Sequence, residues 1–186
     1  GQYIMPGFVD LHAHAGSPQK APITDYVYKL WLAHGVTTVR GVGLASLEFS
    51  LSEKNRSESN KITAPRIWAY QRPGQGKDWR GGKVQDPQTA RKWVRYAANK
   101  GVDGVKLVSY EPDLMEALID EAIKQKLGTT AHLGQTGVAR MNTIDAARLG
   151  LGTQTHFYGL FESMYEHNDV QPVSYTHLRA HETLTD

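Results

Sequence analysis

The feature of this sequence that most constrains its fold is a strict alternation of short β-branched or apolar runs with longer amphipathic stretches. The clearest helix has Asp86 as its N-cap and Pro87 at its first position, and it ends at Gly101. Strands that alternate with helices in this way imply a parallel sheet with right-handed crossovers. The sequence therefore predicts an α/β protein.

About six strands and five helices are predicted from this periodicity. The predicted strands are Tyr3–His12, Val36–Val39, Arg66–Tyr70, Val105–Val108, Thr129–His132 and Thr153–His156. The first predicted helix begins near Thr24, and the other four cover Gly43–Arg56, Asp86–Gly101, Pro112–Lys126 and Asn142–Leu149. A TIM barrel and a doubly wound sheet both fit this pattern, and both place function at the carboxyl ends of the strands.

Composition narrows the possible partners. The 21 basic and 19 acidic residues leave a net charge of only +2, which argues against nucleic acids and membrane surfaces as partners. The chain has no cysteine, so disulfides and thiolate metal sites are excluded. No apolar run reaches membrane-spanning length. A small molecule or short peptide is the expected substrate, while compartment and oligomeric state are not indicated.

Four histidines stand at the ends of three predicted strands. His12 and His14 close the first strand, His132 closes the fifth and His156 closes the sixth. Residues two apart in a strand face the same way, so His12 and His14 both point inward, with Asp10 below them. Neutral imidazole binds zinc, nickel, manganese or iron, and Asp10 is placed to orient one of the rings. The grouping favours a barrel with a metal site over four unrelated structural histidines.

Three further residues have two interpretations each. Lys106 in the fourth strand either extends to the barrel rim or adds carbon dioxide and bridges two metals as a carbamate. Arg72 opens a glycine-rich loop after the third strand, and it either binds a substrate carboxylate or belongs to a solvated loop. Tyr158, just after His156, either contacts substrate or packs against its neighbours.

Two motifs resemble the amidohydrolase superfamily. The run Met5–His14 (MPGFVDLHAH) looks like its opening motif, and Gly35–Arg40 (GVTTVR) looks like its second strand. The similarity extends from Gly1 to about Pro172 and is closest to imidazolonepropionase-like and prolidase-like members. Two positions depart from many relatives: Gly41 stands where an acidic residue is common, and Leu133-Gly134 follow His132 in place of a His-x-His motif.

The resemblance implies a ligand set and a fold. His12 and His14 would bind the first metal, His132 and His156 the second, and carboxylated Lys106 would bridge them. The fold would be a partial (β/α)8 TIM barrel over residues 1–172, without the N-terminal β-sandwich and without strands seven and eight. The eighth strand normally supplies an aspartate that acts as ligand and general base, so the fragment is expected to be inactive. Residues 173–186 resemble a translated sequencing adapter and are interpreted as a non-native tail.

The expected activity is hydrolysis of a carbon–nitrogen bond in an amide, cyclic amide or dipeptide. A metal-bound hydroxide would attack the polarised carbonyl carbon. The expected cofactor is a pair of divalent metals, zinc first, with manganese, nickel or iron as substitutes. Two alternatives stay open: a mononuclear deaminase-type site that does not use Lys106, and a non-catalytic metal-binding domain.

Overall fold

The computed structural model describes residues 2–15, 23–42, 45–134, 137–138 and 140–165, and the tail 173–186 lies outside them. Its strands are β1 (Phe8–Ala13), β2 (Val36–Val42), β3 (Arg66–Gln71), β4 (Gly104–Leu107), β5 (Gly128–His132) and β6 (Thr153–Thr155). Its helices are α1 (Thr24–Ala33), α2 (Leu47–Glu58), α3 (Pro87–Lys100), α4 (Pro112–Lys124) and α5 (Thr143–Arg148), followed by a 3₁₀ turn at Glu162–Met164. None of the described helices combines the length and apolar character needed to cross a membrane.

The six strands form one parallel sheet in chain order, β1-β2-β3-β4-β5-β6. In a flat sheet, five spacings of about 4.8 Å would hold β1 and β6 roughly 24 Å apart. Instead, the ring centroids of His12 in β1 and His156 just past β6 are 4.9 Å apart. Arg40 of β2 also donates from Nη2 to Thr130 Oγ1 of β5 at 3.3 Å. The sheet therefore curls into a nearly closed barrel, and the prediction of a partial TIM barrel is confirmed.

Alternation along each strand separates the outer core from the barrel interior. In β4, Val105 and Leu107 point outward and are fully buried in a cluster with Trp93 of α3 and Leu118 of α4. Lys106 lies between them in the chain and so faces the interior. The outer core thus fixes β4 in the orientation that carries Lys106 into the barrel.

An aromatic ring fills the interior near the start of β4 and β5. Gly104 and Gly128 are paired in register, and both make room for Tyr70. A methyl group at Gly104 would overlap the Tyr70 ring and would also lie 2.6 Å from the Gly128 carbonyl oxygen. The Arg40 guanidinium carbon lies 5.0 Å from the centroid of the Tyr70 ring. The two glycines therefore determine what can occupy the interior here.

The first strand is shorter than predicted. It begins at Phe8 rather than Tyr3, and its pairing opens with a hydrogen bond from Phe8 N to Gly35 O of 2.8 Å. Pro6 has no N–H to contribute to a strand ladder, which explains why pairing starts beyond it.

Several other boundaries differ by one to four residues, and two of them have a visible local cause. The second helix begins at Leu47 rather than Gly43, because the Ser46 side chain caps it. The sixth strand ends at Thr155, and His156 has a φ of 68°. This left-handed conformation is uncommon for a residue other than glycine, and it turns the chain directly at a predicted site residue.

Candidate metal centre

His12 and His14 lie together at the end of β1. Their Nε2 atoms are 3.0 Å apart, and their ring centroids are 4.8 Å apart. Two imidazole nitrogens on one ion, with bonds of about 2.0–2.1 Å, are separated by about 2.9–3.4 Å for bond angles between square and tetrahedral. The pair therefore has the separation that a shared cation requires.

β1 contains a bulge at the point where it carries His12. Asp10 pairs with Val39 and Ala13 pairs with Gly41, so β1 contains one residue more than β2 over this interval. Asp10 Oδ1 accepts a hydrogen bond from the backbone N–H of His12 at 2.9 Å. This carboxylate, expected from the sequence to orient an imidazole, thus holds the bulged backbone beneath it.

His132 and His156 form the second pair. His132 is the last residue of β5, and the left-handed turn at His156 brings the two ring centroids to 4.6 Å. His156 also lies 4.9 Å from His12, so the rings form a chain in the order His14, His12, His156, His132. The Tyr158 ring packs 5.3 Å from His132, centroid to centroid, and covers this end of the chain.

Lys106 enters the interior from β4 and is only 2% exposed. Its Nζ donates to Thr155 Oγ1 at 3.0 Å. Thr155 Oγ1 in turn donates to the carbonyl oxygen of Ala131, also at 3.0 Å. The lysine amine is therefore held beside the residue that immediately precedes His156.

Burial and neighbouring positive charge lower the pKa of three of these rings, those of His12, His14 and His132. Desolvation, followed by the charge on Lys106, lowers the pKa of His12 to about 4. Desolvation is also the main cause that lowers the pKa of His14 and His132, and the charge on Lys106 contributes at both. The pKa of Lys106 itself falls to about 8, chiefly through burial and then through the charges of Arg72 and Arg40. Neutral imidazole and free amine are the forms that react with metals and with carbon dioxide.

Two arginines from neighbouring strands add positive charge near Lys106. Arg72 follows β3 directly, and its charge contributes to the lowered pKa of His14, His132 and Lys106. Arg40 of β2 is 7% exposed, and its Nε donates to the carbonyl oxygen of Leu11, inside the bulge, at 2.6 Å. Arg72 is thus a source of positive charge at this site, and its binding of a substrate carboxylate stays a prediction.

Sequence reasoning missed Arg40 and Thr155. Both lie on the inward-facing parity of their strands, Arg40 two residues after Thr38 and Thr155 two residues after Thr153. An inspection of all inward positions, rather than of strand ends alone, would have found them. Their partners on other strands could not be identified that way.

The imidazole nitrogens of this site are donors that divalent metals accept, and they are arranged as two pairs. Within the described ranges, no group of three or more histidine, aspartate or glutamate side chains is arranged as a ready metal site. The donors come instead as two neighbouring imidazole pairs, with the charge of Lys106 acting on both. Neutral imidazoles suit zinc and its first-row neighbours. His12 with His14, and His132 with His156, are the residues that would each hold one ion.

Comparison with solved structures finds weak likenesses among other enzymes. The carboxyl transferase domain of Rhizobium etli pyruvate carboxylase matches with a TM-score of 0.48 and 12% identity, over 72% of this chain and 23% of that one. The HMG-CoA lyase of Brucella melitensis matches with a TM-score of 0.42 and 16% identity, over 68% and 51%. A deoxyribose phosphate aldolase from Aeropyrum pernix gives a TM-score of 0.43 and 11% identity, over 90% and 81%. This chain thus spans about a quarter of the carboxyl transferase domain and about half of the HMG-CoA lyase.

Sequence comparison identifies the family. No curated protein gives a significant match. The model of the amidohydrolase family, however, matches residues 3–171, which include both imidazole pairs and Lys106. The predicted resemblance is confirmed at this level, and the chain belongs to the amidohydrolase family of hydrolases.

Proposed function

We propose that this chain carries the metal centre of a hydrolase that cleaves carbon–nitrogen bonds in an amide, a cyclic amide or a dipeptide. The observation that supports the proposal most directly is the continuous chain of four imidazoles at the ends of β1, β5 and β6. Membership of the amidohydrolase family supports the hydrolytic class. The activity of the whole protein is part of the proposal.

The proposal assigns each ligand residue to one of two metal ions. His12 and His14 would hold one ion, His132 and His156 the other, and Lys106, as a carbamate, would bridge the two. A divalent cation held there supplies Lewis acidity toward the scissile carbonyl and a nucleophile from water at neutral pH. The packing around buried Lys106 would exclude bulk water from this part of the site. The lowered pKa of His12 leaves its ring free of a competing proton at neutral pH.

Arg72 is proposed to bind an acidic group of the substrate. It is exposed at the carboxyl end of β3, and its charge acts on His14, His132 and Lys106 from there. Guanidinium groups bind carboxylates in a two-pronged geometry, which positions as well as attracts them. Tyr158, packed against His132 and His156, would line the same opening.

The test compares the full-length gene product with a Lys106→Ala variant. Metal content is measured after growth with zinc or manganese, and hydrolysis is measured against N-acyl amino acids, cyclic amides and dipeptides. The variant is expected to lose at least one metal and the activity, and added bicarbonate should not restore either. His34→Gln is the control, because His34 is an exposed histidine whose ring Nδ1 hydrogen-bonds to the Leu30 carbonyl near the end of α1.

The outcomes separate the alternatives. Unchanged metal content and activity in Lys106→Ala would make Lys106 a packing residue and favour a mononuclear, deaminase-type site. Two bound metals without hydrolysis of any substrate in the panel would favour a non-catalytic metal-binding domain.

A further inference from the structure

The structure determines which hydrogen bond the Thr155 hydroxyl donates and which one it accepts. A hydroxyl has a single proton to donate. A backbone carbonyl can only accept, so the 3.0 Å bond to Ala131 O uses that proton. Thr155 Oγ1 can therefore meet Lys106 Nζ, 3.0 Å away, only as an acceptor.

This constraint distinguishes the two ends of a carboxylated lysine. When the neutral amine attacks carbon dioxide, its lone pair forms the N–C bond, a C=O π pair becomes a carboxylate, and one proton leaves to water. The product, Lys–NH–COO⁻, keeps a single N–H. An acceptor-only hydroxyl can bond that N–H but can offer nothing to the carboxylate oxygens.

We infer that Thr155 is a positioning residue for Lys106, which accepts the N–H that survives carboxylation and so leaves both carbamate oxygens for cations. The inference rests on the proposed function, since it assumes that Lys106 is carboxylated. Thr155 also precedes His156, so the same strand end places the lysine nitrogen and one imidazole. Lys106 is 2% exposed and Thr155 is 8% exposed, so water competes poorly for this bond.

The chain offers a matched control on the same strand and the same face. Thr153 Oγ1 also donates to a carbonyl of β5, that of Thr129 at 3.3 Å. Thr153 and Thr155 lie on the same strand, face the same side of it, and each donates its hydroxyl proton to a backbone carbonyl of β5. The described contacts of Lys106 Nζ, however, go to Thr155.

The experiment measures the carbamate itself rather than activity. The full-length gene product is freed of carbon dioxide and titrated with ¹³C-bicarbonate in the presence of Zn²⁺, and the carbamate carbon is followed by NMR. Four variants are compared with the unmodified protein: Thr155→Val, Thr155→Ala, Thr155→Ser and Thr153→Val. Circular dichroism checks that each one folds, and the alanine variant replaces the valine variant if the methyl group that stands in for the hydroxyl disturbs the packing.

Thr155→Val or Thr155→Ala should need about tenfold more bicarbonate for half-carboxylation, equivalent to about 1.4 kcal/mol. Thr155→Ser and Thr153→Val should stay within about twofold of the unmodified protein, because both keep a hydroxyl at position 155 that accepts from Lys106 Nζ. Equal carboxylation in folded Thr155→Val or Thr155→Ala would overturn the inference and leave the proposed function intact. Absence of the carbamate signal in the unmodified protein would overturn both.

Discussion

Replacing Arg40 with lysine tests whether a buried side chain on one strand holds the histidines of two others. Arg40 Nε donates to Leu11 O at 2.6 Å, and Nη2 donates to Thr130 Oγ1 at 3.3 Å. Leu11 immediately precedes His12, and Thr130 lies two residues before His132. Lysine keeps the positive charge but carries one ammonium on a flexible stem, so it cannot donate in both directions with the fixed geometry of a guanidinium.

The size of the effect follows from these contacts. A hydrogen bond from a charged donor contributes about 1.5–3 kcal/mol, and the shorter of the two, to the Leu11 carbonyl in the β1 bulge, is the one that lysine is expected to lose. Contact of the guanidinium with the Tyr70 ring adds about 0.5–1 kcal/mol, which an ammonium keeps in part. We expect the free energy of unfolding to fall by about 2 kcal/mol. Loss of residues that orient metal ligands typically weakens metal binding by about 10–100-fold.

Urea denaturation and competition with a chromophoric chelator measure the two effects in Arg40→Lys. Because charge is conserved, weaker metal binding would reflect lost geometry rather than altered electrostatics. Arg66→Lys on β3, at an exposed position, is the control and should change neither quantity. An Arg40→Lys variant with the same urea midpoint and the same metal affinity as the unmodified protein would refute the argument.

Four other predictions follow from individual residues. Tyr28→Phe removes a buried 2.7 Å hydrogen bond to Glu53 Oε2 and should cost about 1.5–3 kcal/mol in urea denaturation, while Tyr26→Phe, exposed on the same helix, should cost almost nothing. Burial raises the pKa of Tyr28 above its usual value near 10. Above that pH the unfolded chain loses the Tyr28 proton while the folded chain keeps it, so the free energy of unfolding falls as pH rises. Thermal melts at rising pH should therefore show a smaller alkaline loss of stability in Tyr28→Phe than in the unmodified protein. Gly104→Ala places a methyl group 2.6 Å from the Gly128 carbonyl oxygen and should destabilise by about 1–3 kcal/mol, and an unchanged melting temperature would contradict the packing described for Tyr70. Arg72→Gln should raise KM for acidic substrates with little change in kcat, whereas Arg80→Gln in the same loop should not, and equal KM values would remove Arg72 from the substrate site.

Much of the site was predictable because strand alternation converts sequence spacing into direction. His12 and His14 are two apart in a strand, and His132 and His156 end later strands of the same parallel sheet, so all four were expected at one mouth. The structure places their rings within 4.9 Å of one another along the chain of contacts. Helix α3 was predictable for a similar reason, since its Asp86 cap and the Gly101 terminus, with a φ of 91°, are signals within the sequence itself.

What the sequence could not contain is the choice of partner across the barrel. The bond from Lys106 to Thr155 joins residues 49 positions apart, and that from Arg40 to Thr130 joins residues 90 positions apart. Such contacts depend on how far the sheet curls, which the summed packing of helices and strands decides. The same holds for the β1 bulge, which appears only when β1 is paired with β2. The sequence by itself determined the alternating fold and the residue types at the strand ends; only the tertiary structure decided which buried groups orient them, because those contacts form only when the sheet closes.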